Sequence, residues 1–298
     1  MRVTHFSDPG CPWAWSAGPA LATLEWRYGD QLEWRHVMIG LAETAAQYER
    51  RGYTGEGMAL GYRSFRRRGM PFATEPRARP HATWPMCRVV VAARLIAPER
   101  EWSVFRALQL AQFTTTLTLD EPAGLIDALA WVPGVDGAAL VAATGEPATE
   151  DAFHADLALA RAAAGGPTDF QGKSATTPEG EVRFTAPSLV FEAEDGRRLE
   201  AGGFQSIEAY DVCVANLGPG LERRPAATSA DEVLGAFPDG LTTAEVAAVM
   251  APPLNAPNLG AAEDSLISAV ATGAVVRHAF GNDALWTPAT AAERALAA

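Results

Sequence analysis

The stretch Asp8-Pro9-Gly10-Cys11-Pro12-Trp13-Ala14-Trp15 decides the fold. It follows a β-like run, Arg2-Val3-Thr4-His5-Phe6, and opens a helical stretch reaching about Tyr28. Cys11 falls at the helix N-cap. Pro12 falls in the first turn, where the missing N–H has no partner to lose. A thiol there faces unpaired N–H groups and the positive end of the helix dipole, and both favour the nucleophilic thiolate. Cys11 is therefore the candidate nucleophile and the expected most reactive thiol. The competing reading is a buried, inert cysteine, common for a free thiol. Behind it, Ala17, Leu21, Leu24 and Tyr28 form one apolar face, and Pro19 inside the helix predicts a kink.

Strand, N-cap cysteine, adjacent proline and a second proline eight residues after the cysteine resemble the thioredoxin superfamily. The segment Ser7-Asp8-Pro9-Gly10-Cys11-Pro12-Trp13 resembles its DsbA-like branch, in particular the FrnE-like and mycothiol-dependent proteins of actinobacteria. The family motif is Cys-Pro-Trp-Cys or a relative. Here Ala14 stands at the second cysteine, a monothiol Cys-Pro-Trp-Ala motif, so release of a mixed disulfide within the motif is excluded. A decayed oxidoreductase that keeps the fold for binding is compatible with the same residues.

Composition bounds the reading. The chain has 298 residues, 48% of them hydrophobic and 20% charged, enough for a full core in one large domain or two. No apolar run suits a membrane span, and the N-terminus lacks the basic and apolar regions of a signal peptide. Cys11, Cys87 and Cys213 form neither a metal-binding spacing nor a paired framework, so no metal and a reducing, cytoplasmic setting are expected. The net charge of −12 argues against nucleic-acid affinity. Residues 50–80 are the exception, with eight arginines (Arg50, Arg51, Arg63, Arg66, Arg67, Arg68, Arg77, Arg79) against Glu56 and Glu75. They make either a solvated, ion-paired face or a funnel for an anionic, carboxylate-bearing thiol.

Gln31–Met38 alternates as a strand, with Leu32, Trp34, His36 and Met38 on one face. A structural role is the default for His36. From about Leu41 to Ala164 the pattern is helical, punctuated by Pro98, Pro122, Pro133-Gly134 and Gly145. An all-helical insertion over about 41–165 is the DsbA-like arrangement, which roofs the nucleophile. Cys87, in Thr83-Trp84-Pro85-Met86-Cys87, resembles the Pro-x-Cys helix start of FrnE-like sequences. It is a buried hydrophobe by default, or a thiol facing Cys11. His81 is an uncommitted base or hydrogen-bond donor. Thr185-Ala186-Pro187-Ser188 fits the superfamily's cis-proline, which would place Ala186 and Pro187, with Pro12, Trp13 and Ala14, at the thiol-binding pocket. Asp195-Gly196 predicts a hairpin turn between Leu189–Glu192 and Arg197–Glu200. The closing helix Ser206–Leu217 carries Cys213, read as structural; together with the stretch to Pro225 it resembles the end of FrnE-like domains.

After an Arg223–Ser229 linker, three helical segments and a hairpin around Gly281-Asn282-Asp283 look like a winged-helix module. Its eight acidic residues against Arg277 and Arg294 exclude phosphate binding, which leaves packing or dimerisation. The expected architecture is α/β: a DsbA-like thioredoxin domain over 1–222 and a winged-helix-like α+β module over 228–298. The expected function is an intracellular monothiol oxidoreductase. Cys11 forms mixed disulfides with a small thiol or disulfide substrate, and an external low-molecular-weight thiol, mycothiol or glutathione, resolves them. No tightly bound cofactor is implied, and a homodimer is compatible. One alternative is an enzyme like kappa-class glutathione transferases and 2-hydroxychromene-2-carboxylate isomerases, which bind a thiol cofactor without exchanging disulfides. Another is a non-catalytic binding protein.

Overall fold

The computed structural model describes residues 1–177, 179–290 and 293. The chain opens with β1 (Arg2–Ser7), α1 (Pro12–Ser16), α2 (Gly18–Tyr28) and β2 (Glu33–Met38). β1 and β2 run parallel, with His5 opposite His36. Pro19 has no N–H for the ladder, and the helix breaks at Ala17, whose N–H is shared between the carbonyls of Trp13 and Ala14.

Seven helices follow: α3 (Ala45–Arg50), α4 (Gly55–Phe65), α5 (Trp84–Ile96), α6 (Glu101–Thr114), α7 (Pro122–Leu129), α8 (Gly137–Ala143) and α9 (Pro147–Ala160). Their core is Val90, Phe105, Leu108, Leu125, Leu129 and Phe153, all buried. The helical block does not simply end at 165. A short α10 (Pro167–Phe170) and a hairpin, β3 (Ser174–Thr176) with β4 (Val182–Phe184), precede the return to the main sheet. Three-residue strands are too short to show an alternation, so the sequence carried no sign of this hairpin.

The main sheet is completed by β5 (Ser188–Glu192), antiparallel to β1, and β6 (Arg198–Ala201), in the order β2-β1-β5-β6. The turn between β5 and β6 has Gly196 at φ 83°, a conformation open to glycine. α11 (Ile207–Leu217) packs with α2 against one face through Leu21, Leu24, Leu189, Phe191 and Tyr210. Phe6, Cys11, Ala14, Val37, Phe184 and Val190 form a separate cluster at the motif.

The C-terminal part comprises α12 (Ala230–Ala236), β7 (Leu241–Thr242), α13 (Thr243–Met250), α14 (Leu259–Ala271), β8 (Val275–Phe280) and β9 (Asp283–Pro288), its strands ordered β7-β9-β8. The rest of the module expected to reach residue 298 lies, Glu293 apart, outside the described residues beyond Thr290. This part shares a core with α2: Ala22 and Trp26 pack with Val233, Val246, Leu266 and Trp286. Glu245 completes the α13 capping box with Thr242 and also pairs with Arg106 of α6 at 2.7 Å. A Cβ on Gly18 would stand 2.6 Å from the Glu245 carboxylate, so only glycine permits this approach. No helix among the described residues is long and apolar enough to cross a membrane.

Candidate active site

The turn after β1 is built on Asp8. Its backbone carbonyl accepts from Cys11 N at 3.1 Å, and its Oδ1 accepts from Gly10 N at 2.7 Å. Oδ2 accepts from Leu41 N and from the Thr83 hydroxyl, each at 2.8 Å, and lies 3.5 Å from Cys87 Sγ. Asp8 is fully buried. Burial raises its carboxyl, against the pull of those four donors. Gly10 lets the start of α5 close on this turn, because a Cβ there would meet Thr83 Cγ2 at 2.5 Å.

Cys11 is the N-cap of α1, with extended backbone (φ −88°, ψ 115°) and Pro12 following. Its side chain does not cap the helix; the thiol donates to Ala186 O at 3.2 Å. The Ala186–Pro187 peptide is cis and both residues are buried. The backbone N–H groups of Ala14 and Trp13 and the Arg183 guanidinium favour the thiolate, as helix-end placement implies. Burial outweighs them, and with the Asp8 charge it pushes the thiol up to about 12. The expected depressed thiolate is thus corrected for the resting protein. The reason is its packing among Phe6, Val37, Ile39, Ala160, Phe184 and Val190, which leaves Cys11 only 6% exposed. Cys213 on α11 is half-buried and thus the most open of the three thiols.

Ala14 is buried in the same cluster as Cys11, so a methyl group occupies the place of a second thiol. Trp13 is 40% exposed and sits edge-on to Phe65, with the Arg68 guanidinium 4.1 Å over its ring. The arginine island is therefore not one face. Arg77 is tied to the carbonyls of Gln112, Thr115 and Leu117, and Arg79 to Asp120 and Glu121, while Arg68 reaches the motif. Arg183 on β4 adds a second positive charge felt by Asp8 and Cys11. Tyr48 on α3 lies in the field of the same two groups, and burial followed by their charges raises its phenol.

Cys87 is fully buried, and burial, then Asp8, hold its thiol well above the usual range. It addresses Asp8, and both Cys11 and Cys87 are free thiols. His81 is not a base for Cys11. Its Nε2 lies 2.6 Å from Gln112 Oε1, Gln112 donates to the Tyr62 hydroxyl, and burial lowers the imidazole to about 4. The sequence reading had Arg68 only as one of eight arginines in a basic island, and missed Asp8, Tyr48, Thr83 and Arg183 as site residues. Asp8 alone had a signal, an acid inside the motif that reads equally well as a turn former.

No family model and no curated protein matches the chain. Solved structures do. A candidate protein disulfide isomerase from Nitrosomonas europaea aligns at 20% identity and a TM-score of 0.55, covering 72% of this chain and 96% of that one. A probable DsbA oxidoreductase from Streptomyces coelicolor aligns at 18% identity and a TM-score of 0.52, covering 76% and 93%. With the β2-β1-β5-β6 sheet and its helical insertion, these likenesses show that the chain carries a DsbA-like thioredoxin fold.

Proposed function

We propose that the protein is a thiol–disulfide oxidoreductase that works through one motif thiol. The observation that carries this reading is the placement of Cys11 Sγ at the N-terminus of α1, against the carbonyl before cis Pro187. Ala14 stands where a resolving thiol would be. Cys11 as thiolate attacks one sulfur of a small disulfide. A Cys11–S–S–R bond forms, the substrate S–S bond breaks, and the other half leaves as a thiolate that takes up the proton Cys11 gave up. An external thiol then attacks the mixed disulfide, returning Cys11 as a thiol and releasing a new disulfide. Arg68 and Arg183 favour a carboxylate-bearing thiol such as glutathione; uncharged mycothiol is the alternative that the actinobacterial resemblance suggests. The FrnE-like branch and a cytoplasmic setting belong to this reading; the three free cysteines are its support.

The C-terminal part is read as a winged-helix-like packing module. Three helices and a β8–β9 hairpin support the likeness. Glu263 and Asp264 on α14, with no basic residue on that helix, argue against duplex DNA.

The test is intact-mass analysis after incubation with glutathione disulfide at pH 8. One glutathione is expected on the Cys11 peptide, and Cys11→Ser should remove it. A peptide map that places glutathione only elsewhere, with none on the Cys11 peptide, overturns the reading. A second reading is favoured by the Cys11–Ala186 hydrogen bond, which keeps the thiol protonated, so that it stands beside a bound thiol cofactor without exchanging with it. Reversible, saturable glutathione binding without any covalent adduct would select it.

A further inference from the structure

A cavity of about 620 Å³ lies between α2, β2, α6 and the C-terminal part, and none of Cys11, Trp13, Ala186 or Pro187 lines it. Its volume is that of a small-molecule site. One wall is a stack of near-parallel rings. Trp34 and His36 lie 6.2 Å apart with planes 9° from parallel, and His36 and Trp102 lie 4.8 Å apart at 16°. Phe237 and Trp131 stand on other walls. Trp131 is 63% exposed, so the cavity has an aromatic mouth.

The charge facing this space is one-sided. Among the described residues one arginine lines it, Arg106, and it is held by both oxygens of Glu245, at 2.7 and 2.8 Å. Glu25 accepts only the Trp34 indole N–H, at 2.7 Å, and Asp239 only the Ser103 hydroxyl, at 2.5 Å. Neither has a cationic partner among the described residues. An anion entering the cavity would meet carboxylates and an arginine already paired. A planar cation would find the outer faces of that stack, the rings of Phe237 and Trp131, and two carboxyl groups with no cationic partner among the described residues, that of Glu25 raised by burial, the combination that attracts organic cations.

We infer that this cavity is a second ligand site, separate from the Cys11 motif, for a planar aromatic organic cation. The C-terminal part supplies Phe237 and Asp239 to it, so the site exists only because that part docks on the thioredoxin-like body.

Berberine, a planar aromatic quaternary cation, is the probe, and 8-anilinonaphthalene-1-sulfonate the anionic comparator. Quenching of tryptophan fluorescence in the full-length protein reads occupancy, since three tryptophans line the cavity. Saturable one-to-one binding of berberine is expected, at least tenfold tighter than the anion. Glu25→Gln and Asp239→Asn keep an acceptor for Trp34 and Ser103, and each should weaken berberine several-fold while leaving the anion unchanged. Ala236→Trp, placed from the exposed rim of α12, should block berberine with an unaltered circular dichroism spectrum. The absence of saturable binding overturns the inference, as does equal affinity for the anion. Should Ala236→Trp fail to fold, an unchanged affinity in both Glu25→Gln and Asp239→Asn overturns it equally.

Discussion

The thiol of Cys11 donates to the carbonyl oxygen of Ala186 across 3.2 Å, so the backbone before Pro187 holds the nucleophile's proton. The helix N-terminus acts on a thiolate that burial makes rare.

Alkylation of Cys11 should therefore climb about tenfold per pH unit from pH 7 to 10 with no plateau. Cys213, the more open thiol, should label first at neutral pH. Rate constants by peptide mapping check this. A Cys11 plateau below pH 9 would mean that the helix terminus outweighs burial.

Asp8 joins the motif to the insertion through Leu41, Thr83 and Cys87. Asp8→Asn keeps one acceptor and puts an NH2 where the other received donors. Loss of these buried hydrogen bonds should destabilise the protein by about 1–3 kcal/mol in urea unfolding. Removal of the charge that raises the Cys11 thiol should also speed alkylation of Cys11 at pH 9 several-fold. A slower alkylation would place the sign of this coupling wrong.

The first forty residues were legible because each feature is local. An N-cap cysteine, a helix-breaking proline and an alternating strand declare themselves within a turn or two, and Asp195-Gly196 did the same for the β5–β6 hairpin. The chemistry of Cys11 was not local. Its thiol is raised by burial among side chains as distant in the chain as Val37, Ala160 and Val190, and no motif encodes that. Arg68 and Arg183 are brought in by the fold in the same way. His81 looked available because sequence does not reveal that Gln112 already holds it.

Gly18→Ala should separate the C-terminal part from α2. Its methyl group would push on the Glu245 carboxylate that pairs with Arg106. Overpacking of this kind costs about 1–3 kcal/mol, and the variant's Tm should fall accordingly. An unchanged Tm would show that the contact is dispensable.

His5 is buried against Trp34, His36, Trp102 and Phe105 with neither ring nitrogen hydrogen-bonded. Burial, then the charge of His36, holds it well below the usual histidine range. Below an unfolded pKa of about 6.5 the unfolded chain takes up a proton that the folded state refuses. Stability is thus present above pH 6.5 and is lost as pH falls. Urea unfolding should show His5→Phe losing less stability than wild type between pH 7.5 and 5. Parallel losses would show His5 already charged in the fold.

The most direct measurement is the fate of a glutathione adduct on Cys11 without added thiol. In wild type the methyl of Ala14 cannot attack it, and Cys87 is engaged with Asp8. The adduct should persist for hours by intact mass and vanish when a thiol is supplied. Ala14→Cys places a second sulfur one helical turn from the first, and it should shed glutathione on its own and form an internal disulfide. Wild type that sheds its adduct unaided, at the variant's rate, would contradict the single-thiol mechanism and point to Cys87 as the resolving group.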